Sequence, residues 1–435
     1  MNAEAPTRTR FVVLGVLCLL AGILYLDRIC ISSALAPIQK DLGLSNTEAS
    51  YVLMAFTLAY GLFEVPTGRW GDLLGSRRVL TRISVWWSVF TGLTGACTGL
   101  WSLVAVRFLF GAGEAGAFPN VARVLSRWFP DHERGRAQGV LLAASQIGGA
   151  LAPFLAAVLI VHIGWRWTFV VFASTGIVWA IGFWRWFRDD PATHPAVNAA
   201  EAAHIGRRAT ALAPPAIPWR AVLRSRSVLW LGTIMTCASF NSYIYFSWYP
   251  KYLGAARDIG PREAGLMASM VLAFAALGTF TGGCVLDRLA LGASTARTRA
   301  AGGVSLVLAA TMLWCALQCD RPWLAGLFTA LSCFAAQFVQ TLWWTCAIGI
   351  SGRHVGALFG LMNSMGVVGA MSSQFFTGAM ADWLGSQGRT GRAQWDPMFY
   401  VDIVVLLFAG LLWATYRSVP VEPAEPTPGS DRGGA

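Results

Sequence analysis

Apolar runs of about 18 residues or more recur from end to end of this 435-residue chain. Each is long enough to cross the hydrocarbon core of a bilayer, which takes about 20 residues of helix. Hydrocarbon offers a backbone no outside partner, so a spanning run must be a helix that satisfies its own N–H and C=O groups. Charged residues make up 13% of the chain and hydrophobic ones 55%, against about 25% charged in soluble domains. The chain therefore reads as an all-α polytopic membrane protein. Its 20 Trp suit interfacial belts and its 46 Gly suit close helix crossings.

Twelve spans are expected, at 11–36, 48–67, 79–99, 101–126, 138–161, 164–187, 227–250, 264–286, 301–319, 322–350, 355–381 and 397–417. They divide into two six-helix halves, 1–187 and 227–418, joined by a polar cytoplasmic loop at 188–226. That loop holds Pro191, Pro195, Pro214, Pro215 and Pro218 with Arg207, Arg208, Arg220, Arg224 and Arg226. Residues 419–435 are Pro/Gly-rich without an apolar stripe and read as a disordered tail. Arg8 and Arg10 ahead of an apolar run suggest a signal peptide. The run continues from Phe11 to about Ala36, too long for one, so it is expected to stay as the first helix.

The formal charge of +11 would also suit a nucleic-acid binder, but the basic residues fall in short loops between apolar runs. Arginines crowd one set of loops: Arg8 and Arg10; Arg69, Arg77, Arg78 and Arg82; Arg127, Arg134 and Arg136; the central loop; Arg288, Arg297 and Arg299; and Arg353. The opposite loops carry far fewer. By the positive-inside bias both termini and the central loop face the cytoplasm of a cell inner (plasma) membrane. No nucleic-acid partner is expected.

The nine Cys lie almost all within apolar runs and lack metal-ligand spacing, so they read as small packing residues. His162, His204 and His354 lie in loops or near span ends, no two at ligand spacing. Gly111-Ala112-Gly113 and Gly148-Gly149 lie inside spans and no Gly-Lys-Ser/Thr follows them. No metal, no cofactor, no nucleotide-driven step and no enzymatic activity are expected.

The halves echo each other. Gly68-Arg-Trp-Gly-Asp72 after span two matches Gly283-Cys-Val-Leu-Asp287 after span eight, 215 positions on. Ala137 with Gly149-Ala150 matches Ala357 with Gly369-Ala370, 220 positions on. Such pseudo-symmetric halves pack around a central cavity and rock to give alternating access.

Four charges stand inside this apolar frame: Asp27 and Arg28 in span one, Arg107 and Glu114 in span four. One charge at a helix centre costs roughly 2.5–3.5 kcal/mol even on the lenient insertion scale, so a function is expected of them. Residues 107, 111 and 114 share one helix face, with Arg107 about 10 Å along the axis from Glu114. That is too far for a direct pair, so their partners come from other helices. A structural ion pair bridging helices is the plainer alternative.

The stretch Gly68-Arg-Trp-Gly-Asp72-Leu-Leu-Gly75-Ser-Arg77-Arg78 resembles the loop 2–3 signature of the major facilitator superfamily. Its glycines permit a tight turn, and its arginines can pair with acids across the seam between halves. Gly68, Asp72, Gly75, Arg77 and Arg78, with Asp287 and Arg288 in the echo, are expected to latch one conformation. Tyr25-Leu-Asp27-Arg28, Gly113-Glu114-Ala-Gly-Ala-Phe-Pro119, Trp128-Phe-Pro130 and Glu133-Arg-Gly-Arg136-Ala-Gln-Gly139 are together similar to the anion:cation symporter family of that superfamily, over roughly 11–417. The resemblance implies that Asp27 and Glu114 bind the driving protons and that Arg107 meets the substrate carboxylate. It makes Arg28 the basic neighbour of the first-helix acid, and Tyr25, Tyr60 and Asn363 pocket residues.

Two positions depart from the pattern. Asn241 stands where some members place Gln, and Glu64 where sugar-acid members often have Gln. Glu64 reads as a third proton site, a gate acid or the partner of a loop arginine. Tyr243, Tyr245, Trp248, Trp343 and Trp344 could stack on a sugar face or an aromatic acid, though Trp248 beside Pro250 also suits an interfacial anchor. The expected function is secondary active transport: proton-coupled symport of a small organic anion, a sugar acid such as a hexuronate or aldonate, by a monomer in the bilayer. An anion exchanger or efflux carrier of the same superfamily is the alternative.

Overall fold

Spanning runs fold as helices because each helix pairs its own backbone, and glycines, prolines and charges decide where the helices break. The computed structural model describes residues 6–206, 222, 224–289, 295–351 and 355–417. In chain order its helices are α1 (Thr9–Leu42), α2 (Asn46–Leu74), α3 (Ser76–Thr94), α4 (Leu100–Glu114), α5 (Ala117–Trp128), α6 (Asp131–Trp186), α7 (Ala199–Ile205), α8 (Arg226–Ser247), α9 (Tyr249–Arg257), α10 (Pro261–Leu289), α11 (Thr295–Gln318), α12 (Pro322–Ser351), α13 (Val355–Ser386) and α14 (Arg392–Thr415). Arg207, Arg208, Arg220, His354 and the tail 419–435 lie outside the described residues. So do the side-chain surroundings of Gly68 and Asp72 in α2 and of Asp287 and Arg288 in α10.

The helices supply the twelve expected crossings, with two differences in how they are built. Span four is α4 followed by α5, interrupted where Ala115 turns extended and Gly116 takes a left-handed conformation (φ 82°, ψ 0°). Spans five and six run together as α6, broken at Gly164 (φ 77°, ψ 163°). Span seven is α8 continued by α9. Large apolar side chains such as Leu19, Val178, Phe280 and Leu411 point outward and exposed, the surface that lipid rather than water covers.

In the first half α1 packs on α6, α2 on α4 and α3 on α6; in the second, α8 packs on α13, α10 on α12 and α11 on α14. Read as spans, these are the same pairings displaced by six. The halves meet through α2 with α13 and α6 with α10. Two equivalent crossings rest on glycine: a Cβ on Gly148 would strike the Gly22 backbone, and one on Gly369 the Thr236 backbone. Small residues do this work in lipid, where burying apolar surface gives helices no drive to associate.

The described part of the loop between halves packs on the start of α1. Asn198 caps α7 by accepting from the Glu201 N–H at 2.9 Å. Glu201 accepts in turn from the N–H groups of Thr9 and Arg10, 3.1 Å each, at the start of α1, where the helix dipole favours an acid. Burial works against the Glu201 charge, but hydrogen bonds from Thr7 and from the Arg10 and Thr9 amides hold its pKa below the ordinary glutamate value.

Candidate functional site

The mid-membrane charges converge in the first half. α1 carries Asp27, fully buried, and Arg28; α4 carries Arg107 and Glu114, each 1% exposed. Arg28 Nε donates to Glu114 Oε1 at 2.8 Å, and Arg28 Nη2 donates to the same oxygen. Glu114 is the last residue of α4, at the helix's partial negative end, so a carboxylate there depends on that guanidinium. Asp27 accepts from the Trp87 indole N–H of α3 at 3.1 Å. Arg107 lies with its guanidinium carbon 4.4 Å from the Phe110 ring centre and 5.2 Å from that of Phe56.

These groups are incompletely paired. Asp27 Oδ1, Arg107 Nε and Glu114 Oε2 are buried without a partner. Buried polar atoms are nearly always paired, and leaving one unpaired costs about 1–3 kcal/mol. Two of these atoms are carboxylate oxygens able to accept a hydrogen bond, and the third is a guanidinium N–H able to donate one.

The two arginines differ in access. The Arg28 side chain is 17% exposed, while Arg107 is sealed. Arg28 is walled by the rings of Tyr60, Tyr25 and Phe56, 4.7, 5.0 and 5.3 Å from its guanidinium carbon. Arg28 is thus the more accessible of the two, while the family resemblance gives the substrate carboxylate to Arg107. Gly111, on the face shared with Arg107 and Glu114, serves a neighbouring helix and not a ligand: a Cβ there would press on the Phe56 carbonyl and Ala59 of α2. Gly116 likewise seats the break after Glu114 against Thr67.

Glu64 reaches across the seam. Asn363 Nδ2 of α13 donates to Glu64 Oε2 at 2.8 Å, and Tyr60 Oη donates to Oε1 at 3.4 Å. Its partners are thus a pocket tyrosine and the other half of the molecule, not a loop arginine. Tyr60 touches both Arg28 and Glu64, which joins the ion pair to the seam.

Asn241 and Trp343 are engaged elsewhere. Asn241 Nδ2 donates to Asp402 Oδ2 of α14 at 2.8 Å, and Tyr245 Oη lies 3.5 Å from the same oxygen. The Trp343 indole N–H donates to the Leu231 carbonyl at 2.8 Å. Asn241 and Trp343 line a cavity of about 30 Å³, room for a water or two. Sequence reading missed Asp402, which is fully buried with Oδ1 unpartnered. An acid within an apolar run was the signal that exposed Asp27, and it was present in span twelve as well. Trp248 is also buried, its ring centre 6.1 Å from that of Trp395, so it is packed inside and not anchored at the interface.

At the loop between α2 and α3, Gly75 (φ 83°) lies against Asp189, which accepts from the Arg77 N–H at 3.0 Å. Arg77 Nε donates to the Trp184 carbonyl at 3.0 Å, and Arg78 is exposed. These contacts join the start of α3 to the end of α6 within one half. At the surface His132, Glu133 and His204 offer ligand atoms within 4.8 Å of one another. Arg10 takes both Glu133 oxygens, at 2.8 and 3.2 Å, so this is an ion-pair cluster first.

The sequence profile described as Major Facilitator Superfamily matches residues 17–373. A probable sulfoacetate transporter of Cupriavidus necator is 32% identical over 382 residues, which cover 85% of this chain and 87% of that protein. A probable L-galactonate transporter of Escherichia coli K12 is 29% identical over 370 residues, 83% of this chain and 81% of that one. Among solved structures, a bacterial homologue of the human lysosomal transporter Spinster, inward-facing and unoccupied, superimposes with a TM-score of 0.77 at 18% identity, covering 94% of this chain and 96% of that one.

Proposed function

The chain belongs to the Major Facilitator Superfamily, and from that premise we propose that it moves a small organic anion, a sugar acid such as an aldonate or hexuronate, together with protons by alternating access. One observation carries the reading: a partly exposed Arg28 paired to Glu114, beside three buried polar atoms that have no partner. An incoming carboxylate competes with Glu114 for the guanidinium, whose planar fork suits carboxylates. Once released in a buried site, Glu114 takes a proton, because an isolated charge in low dielectric is far costlier than a neutral acid. Asp27, held by the Trp87 N–H, is the second proton carrier, with Arg107 beside it. Aromatic walls at Tyr25, Phe56 and Tyr60 suit the apolar face of a sugar chain. The arginine distribution puts both termini in the cytoplasm, and the chain acts as a monomer. The loop 2–3 residues Gly68, Asp72, Gly75, Arg77 and Arg78, with Asp287 and Arg288, latch one state of the cycle.

A second reading is a short sulfonated carboxylate. It is favoured by the relative named a probable sulfoacetate transporter, 32% identical against 29% for the probable L-galactonate transporter, and by two arginines near one another in the site. Proteoliposomes under an inward proton gradient separate the readings when given galactonate, glucuronate and sulfoacetate in parallel. Accumulation of one class is expected, collapsing with a protonophore, and Asp27→Asn or Glu114→Gln leaves exchange without accumulation. Accumulation by both variants at wild-type level removes the coupling assignment. Uptake indifferent to the gradient in the wild type leaves anion exchange instead.

A further inference from the structure

A groove of about 940 Å³ runs down the lipid-facing surface between α3 and the second part of α6. Its lining changes character along its length. Arg78 and Arg82 stand one turn apart on one face of α3, and Arg185 faces them from the end of α6. Beyond them the walls are apolar, with Val85 and Val89 on α3 and Ile181 on α6. All three arginines are exposed, and among the described residues none forms an ion pair with an acid. No Asp or Glu lines the groove. From Arg78 to the deepest lining residue of α3, Phe90, is about 18 Å of helix. That is close to the depth of one leaflet, half of a hydrocarbon core about 30 Å thick.

We propose that this groove is a binding site for a single glycerophospholipid with an anionic headgroup, its phosphate on Arg78, Arg82 and Arg185 and an acyl chain along Val85, Val89 and Ile181. The charge pattern selects the headgroup. Three cations and no acid repel the ammonium of a zwitterionic lipid and leave it no carboxylate to pair with, whereas basic pockets between spans suit anionic headgroups. The apolar length supplies affinity, and the arginines supply choice between lipids. The site stands on the outer surface, apart from Arg28 and Glu114, so it does not depend on which anion is carried.

The test is a titration of delipidated protein, followed by native mass spectrometry, with dioleoyl phosphatidylglycerol or dioleoyl phosphatidylcholine. The wild type is expected to hold one phosphatidylglycerol in preference to phosphatidylcholine. Arg82→Gln/Arg185→Gln should lower that preference about 25-fold, at about fivefold for each charge near the membrane surface. Arg262→Gln/Arg321→Gln, which removes two exposed arginines from the opposite end of the bundle, should keep it. Should the first double variant fail to fold, Val89→Trp, which fills the groove, is expected to abolish the single-lipid complex. Equal loss in both double variants, no preference in the wild type, or a complex that survives Val89→Trp would each overturn the proposal.

Discussion

In the proposed cycle Arg28 has to hold one carboxylate and admit another. A buried ion pair is weak evidence for stability, because desolvation offsets much of the Coulomb gain. A pair that keeps one Glu114 oxygen unpartnered and its arginine partly exposed is better explained by exchange of partners. In Glu114→Gln the competing charge is gone while the shape remains. Anion affinity should then fall less steeply with rising pH than in the wild type, where it weakens as Glu114 loses its proton and reclaims the guanidinium; the dependence that is left belongs to Asp27. Isothermal calorimetry at several pH values checks this, and parallel pH dependence in the two proteins rules it out. Arg28→Lys keeps the charge and loses the fork. Its dissociation constant should rise about ten- to hundredfold, the equivalent of the 1.5–3 kcal/mol of a hydrogen bond to a charged group.

Helices in lipid are held by close contact and by a few polar ties, and α14 is tied to α8 by Asp402 and Asn241. Asp402→Leu takes the acceptor from the buried Asn241 amide, at about 1–3 kcal/mol, and should lower the melting temperature in detergent. Asp402→Asn keeps a carbonyl that accepts the same bond and should melt close to wild type, since such ties average only about 0.6 kcal/mol in membranes. Equal losses in the two variants would mean that the charge, not the bond, matters. The crossings were legible in the sequence because a bilayer dictates length and apolarity residue by residue. The glycine echo was legible because Gly149 and Gly369 sit at equivalent crossings, where Gly369 itself and Gly148 beside Gly149 let two backbones meet. The break after Glu114 was not, since Gly116 sits in a run of small residues that suits a continuous helix as well. Partner choice was least legible. Arg28 finds Glu114 across 86 positions and Asp27 finds Trp87 across 60, and packing of whole helices, not local pattern, brings those pairs together.

Across the whole molecule the two halves meet at Glu64 and Asn363 and are clasped again, by more bonds, at the start of α2. Asp382 of α13 accepts from the N–H groups of Asn46 and Thr47 at 3.1 and 2.7 Å and from their side chains at 2.7 and 2.6 Å. An acid from one half thus caps the first turn of α2 in the other, where the helix dipole favours it by up to about 2 kcal/mol. Lys251 bonds Gln39 and Asn46 beside it, and Ser269 Oγ accepts from the Phe154 N–H at 3.1 Å. Under the proposed orientation this is the extracytoplasmic end, so the clasp stabilises an inward-facing carrier. Burial opposes the Asp382 charge, but the Thr47 hydroxyl, with the Thr47 and Asn46 amides, holds its pKa below the ordinary aspartate value. A depressed pKa means that the clasp is at full strength above the usual aspartate range and is lost as pH falls through the lowered value. Spin labels at Lys40 and Gln387, exposed on either side of the clasp, report its state by double electron–electron resonance. At neutral pH the wild type should give one short distance. Asp382→Ala should add a longer population, by as much as thirtyfold relative to wild type for the full 2 kcal/mol. Acidification below the ordinary aspartate range should produce the same long component in the wild type and change the variant little. An unchanged distance in Asp382→Ala would leave the clasp without a part in setting which side is open.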